Sequence, residues 1–138
     1  MNKKFWLAFI GSFIALDVLE LVWHSMVLSG FYPNHPQGFR GEVNYDPMMY
    51  LWMQIGIFLT AFIWVYLYHR FVTEKNVKNG IEVGVILSIF YYVPWGFINY
   101  SLYVVSGYVY LWSTVGGVIM GAIIGALMGL ILQEKKAE

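Results

Sequence analysis

Asp17, Glu20 and His24 are the only ionisable side chains in an otherwise apolar run from Phe5 to Leu28. Steps of three and four residues at about 100° each put them within an arc of roughly 60° on one helical face. A run of this length is membrane-spanning by size, and a charged side chain near a bilayer centre costs at least about 2.5–3.5 kcal/mol. No Lys or Arg lies inside the spans; Arg70 stands at the end of one. The two carboxyl groups are therefore expected to hold at least one proton between them or to bind a cation, and His24, one turn beyond Glu20, is placed to take that proton.

Metal ligation is a second chemistry for the same stripe. Glu20 and His24 at i, i+4 have ligand spacing, and Asp17 offers a further oxygen. A zinc or non-haem iron centre usually needs more imidazole than this. His35 could supply it, whereas His69 sits at the other end of the molecule. The same separation of His24 from His69 excludes bis-histidine haem. No cofactor is expected. No serine–histidine–acid triad assembles, and the glycine-rich stretch lies in an apolar helix, the wrong setting for a phosphate loop. An enzyme is accordingly not expected.

The elements that must position these groups follow from composition. The 138 residues are 59% hydrophobic and 12% charged, against about 25% charged in a soluble domain, and mean hydropathy is +0.62. Four apolar runs, at about 5–30, 49–70, 81–105 and 109–132, are each long enough to cross a bilayer, and continuous runs exclude the alternation of barrel strands. The expectation is a single all-α domain, 1–138, a membrane-spanning four-helix bundle. Zero net charge gives no argument for nucleic acid, and the absence of cysteine excludes disulfides and thiolate sites. The first run is too long and too acidic for a signal-peptide core, so it reads as a retained helix. Lys3, Lys4, Arg70, Lys75, Lys78, Lys135 and Lys136 fall on one side and only Arg40 on the other. The positive-inside rule then puts both termini in the cytoplasm.

An outer loop at 31–48 holds three of the 4 prolines, with Asp46-Pro47 suited to cap and open the second helix. The third run carries Pro94 near its centre, which predicts a kink, and a stripe of Ser88, Tyr92, Trp95, Asn99 and Tyr103. Counting helical rise from each end puts Asp17, Thr60 and Tyr92 in one layer and His24, Gln54 and Asn99 in another. A polar cavity in the outer half would hold all six. The fourth run has Ser113, Gly117, Gly121, Gly125 and Gly129, a small residue every four positions, which lets a neighbouring helix approach closely, within the bundle or in a homo-oligomer.

The segment LDVLELVWHSMVLSGFY, with Trp23-His24 and the Phe31-Tyr32 exit, followed by a proline-bearing loop and the Gly117–Gly129 ridge, resembles a group of small bacterial four-helix membrane proteins of unknown function. The resemblance implies the topology and a bacterial plasma (inner) membrane, and carries no activity. Two functions remain open. Asp17, Glu20, His24, Gln54, Tyr92 and Asn99 form a pocket that binds or passes a proton, cation or small polar solute, or they only fix helix packing in an accessory subunit of a larger membrane complex.

Overall fold

The computed structural model describes residues 2–30, 47–102 and 107–133. The outer loop, with His35, Arg40 and Asp46, lies outside the described residues, as does Tyr103. The described chain is all-α. Helix α1 spans Lys3–Val22 and continues into a π-helical turn, Trp23–Leu28. Helices α2 (Pro47–Phe71), α3 (Val77–Leu102) and α4 (Gly107–Leu132) follow. All four helices are long and apolar enough to cross a membrane, with mean hydropathy of 2.0, 1.6, 1.7 and 2.4 over their best windows.

Each helix starts two to four residues before the run read by hydropathy, and two of the starts carry a side-chain cap. Asn2 caps α1, its side chain accepting from the Phe5 amide at 3.0 Å. Asn76 does the same for α3, accepting from the Asn79 amide at 2.8 Å, so α3 begins four residues before the apolar run at 81. A cap sets a helix start whatever the polarity of the first turn. Helix α3 passes through Pro94 without interruption. The first run is not α-helical to its end, because its last turn widens into the π-helix.

Neighbouring helices are antiparallel. Helix α4 packs against α3 most extensively and against α1 next, and α1 packs against α2. Helix α4 is the central element: half of its membrane-length window is buried, against 17–28% in the other three. Helix α2 touches α3 and α4 only slightly. Near the short connection, the Tyr68 hydroxyl accepts from the Asn76 amide and donates to its carbonyl, at 3.1 and 2.9 Å. This satisfies backbone groups at a helix start.

The half of the molecule near Phe5 is solid. Phe5, Phe9, Trp64, Tyr68, Ile124 and Met128 belong to one buried cluster, and Phe9 meets Phe58 and Phe62 edge to face at 4.9 and 5.5 Å, a favoured ring geometry. Lipid-type surface lies outside it: Leu7, Ile10, Ile14, Val18 and Leu21 of α1 are exposed. A stripe like that suits hydrocarbon rather than water.

The α3–α4 seam has no room for side chains. Gly80, Gly84, Ser88, Tyr92 and Gly96, spaced by four, are all buried on one edge of α3. A Cβ on Gly80 would strike the Gly125 carbonyl, and one on Gly84 the Gly121 carbonyl. Gly129 meets the backbone of Asn76 and Val77 in the same way. The row on α4 is thus met by a matching row on α3, within one chain. That second row was visible as small residues at 80, 84 and 88 but is broken by Tyr92.

Candidate functional site

The seam changes character at Tyr92. Gly117 faces not a backbone but the Tyr92 ring, and Gly116 faces the Trp23 indole. Two adjacent glycines therefore act as seats for two aromatic side chains drawn against α4. Trp23 is held there by its Nε1, which donates to the Trp112 carbonyl at 3.2 Å. Trp23 opens the π-helical turn, and His24 follows it. A wider turn of this kind redirects successive side chains and recurs at functional sites.

With Tyr92 and Trp23 drawn against α4, and the small residues Gly56 and Thr60 among those that α2 contributes, the interior is not filled. A cleft of about 460 Å³ remains, lined from all four helices. A Cβ added at Gly56 would meet nothing within 4 Å. Asp17, Glu20 and His24 line this cleft, with Tyr50, Tyr91, Tyr92 and Trp95 among its aromatic walls.

Each acid has one neutral donor. The buried Tyr92 donates its hydroxyl to Glu20 Oε1 at 2.5 Å, and Gln54 Nε2 donates to Asp17 Oδ1 at 2.7 Å. His24 Nε2 lies 3.4 Å from the other Glu20 oxygen; the imidazole is about half exposed, at 51%, and the carboxylate 23%. No lysine or arginine lines the cleft among the described residues. Charge-assisted hydrogen bonds from neutral donors stabilise a carboxylate but do not cancel its charge. The cleft therefore offers oxygen acceptors and, once a carboxyl group ionises, net negative potential.

The layers expected from helical rise are rearranged. Gln54 reaches Asp17 rather than His24, and Tyr92 reaches Glu20 rather than Asp17. Counting rise fixes the depth of a Cα atom, but a long side chain extends over about a further turn. Asn99 is not brought to the cleft; its amide donates to the Trp95 carbonyl of its own helix at 2.7 Å. Thr60 lines the cleft but bonds the Gly56 carbonyl at 2.9 Å. Both follow the tendency of such residues to bond back one turn within a helix.

Among the described residues no three His, Cys, Asp or Glu side chains converge as metal ligands. Glu20 and His24 are adjacent, but Asp17 turns to Gln54. Sequence reasoning overlooked Trp23, Tyr50, Tyr91 and Gly56 as parts of a site. Aromatic residues are so frequent here, at 20%, that none stands out by type. A second cavity of about 300 Å³, between α3 and α4 beside Gly96 and Gly107, has no carboxylate or imidazole among its described lining residues. No protein-family model, curated protein or solved structure matches this chain, and the chemistry of the cleft therefore stands on its own residues.

Proposed function

We propose that the chain is a multi-pass plasma-membrane protein with both termini in the cytoplasm, and that its acid-walled cleft binds or passes a cation, a proton or a small polar solute. The observation that carries this reading is the pair Asp17 and Glu20 on the wall of an open cleft, with His24 beside Glu20 and no lysine or arginine among the described lining residues. A cluster that served packing alone would be filled, as the Phe5 end of the molecule is. Ionisable groups kept inside an apolar span are costly and usually mark a solute or proton path. The orientation rests on Lys and Arg gathered at the termini and between residues 70 and 78.

The test uses the full chain in lipid vesicles, with infrared spectroscopy of the carboxyl stretch and Asp17→Asn and Glu20→Gln assigning the bands. Bands that respond to protons or to added sodium or potassium support a solute site. Carboxyl bands indifferent to pH and to every cation tried sink it, and leave a packing cluster in an accessory subunit. Single cysteines test the orientation, since the native chain has none. A cysteine at Asn44 should label from outside intact cells, and one at Asn76 only after permeabilisation; the reverse pattern overturns it.

A further inference from the structure

We infer that the cleft takes an organic ammonium ion, a nitrogen cation carrying alkyl or aromatic substituents, rather than a bare inorganic ion. The inference rests on the reading of the cleft as a solute site and adds the class of solute.

Three features of the same space point to this chemistry. The first is size. A volume of about 460 Å³ is far larger than a metal or alkali ion and lies in the range of roughly 300–1,000 Å³ typical of small-molecule sites. The second is the wall. Trp23, Tyr50, Tyr91, Tyr92 and Trp95 line it from three helices, and ring faces attract cations whose charge is spread over alkyl groups, the recognition used in aromatic cages. Tyr91 and Tyr92 stand edge to face, with centroids 5.0 Å apart and ring planes at 89°, so these two adjacent rings present differently oriented surfaces to the space. The third is charge. Glu20 and Asp17 are the acids in the wall, without a lysine or arginine among its described residues.

Other guests fit less well. A small metal ion needs several oxygen or nitrogen ligands at coordination distance, and no three His, Cys, Asp or Glu side chains converge among the described residues. A neutral apolar guest would displace water from the two acids and bring no charge of its own to replace that hydration. An organic ammonium ion satisfies both parts of the wall, its charge against the carboxylates and its substituents against the rings. No bond is made or broken in this binding.

The test is calorimetric titration of the full chain in lipid nanodiscs with benzyltrimethylammonium, alongside sodium and potassium. Saturable binding with one ion per chain is expected. Glu20→Gln should weaken it at least about tenfold, through loss of the counter-charge. Trp95→Leu should weaken it by about tenfold. Gly56→Trp should abolish it by filling the cleft, since that position has open space for a side chain. Retained thermal unfolding of Gly56→Trp separates blockage from misfolding should the acid variant fail to fold.

If sodium or potassium perturbs the carboxyl bands while benzyltrimethylammonium does not bind, the organic-cation inference falls and the solute-site reading stands. Binding that survives both Glu20→Gln and Gly56→Trp places the ion on lipid or elsewhere and overturns the inference. If no cation binds and the carboxyl bands are inert to protons as well, both fall together.

Discussion

The two ends of this molecule solve the problem of a helical interior in opposite ways. Near Phe5 the space is filled by aromatic and branched side chains from α1, α2 and α4. Near His24 the same helices leave a cleft. Helix α4 accounts for much of the contrast. At Gly121, Gly125 and Gly129 its glycines admit the backbone of α3; at Gly116 and Gly117 they admit two rings that would otherwise occupy the cleft. The same residue type thus closes one region and opens the other, according to what lies opposite.

A single substitution tests that contrast most severely. Gly84→Leu or Gly121→Leu drives a branched side chain into a backbone carbonyl that has no room to yield. Each is expected to cost about 3 kcal/mol or more, read as loss of thermal stability in detergent. Gly56→Leu, on the cleft wall, meets no neighbour and should change stability by no more than about 1 kcal/mol, helped by the better helix propensity of leucine. Equal losses at the two sites would erase the distinction between seam and cleft.

A smaller effect is expected where seam and site meet. Gly117→Ala would press a methyl group into the Tyr92 ring and displace the hydroxyl that donates to Glu20. Overpacking of this kind costs about 1–3 kcal/mol, while Tyr92→Phe, which removes only the hydrogen bond, should cost about 1 kcal/mol. Both variants should move the infrared band of Glu20. Their combined cost should fall short of the sum, because the hydroxyl lost in one is misplaced in the other. Strict additivity would mean that Gly117 does not position Tyr92.

The smallest effect belongs to Asn99. Its side chain bonds a carbonyl of its own helix and lies outside the cleft wall. Asn99→Leu should alter stability by less than about 0.5 kcal/mol and leave the Glu20 and Asp17 bands unmoved. A shifted carboxyl band would return Asn99 to the site.

The amino-acid sequence by itself determined the four helices, because an apolar run of membrane length must satisfy its backbone internally and helix is the way to do so. It also determined that Asp17, Glu20 and His24 share a face, since three- and four-residue steps hold in any helix. The row from Gly117 to Gly129 was legible for the same reason. What lay opposite each residue was not. Whether a glycine meets a carbonyl, an indole or a phenol ring depends on how two helices are registered, and no local rule sets that. The tertiary structure alone paired Asp17 with Gln54 and Glu20 with Tyr92, turned Asn99 back onto its own helix, and widened the last turn of the first run. It also made the cleft, which is a property of side chains that are elsewhere: an empty space has no residue of its own to be read.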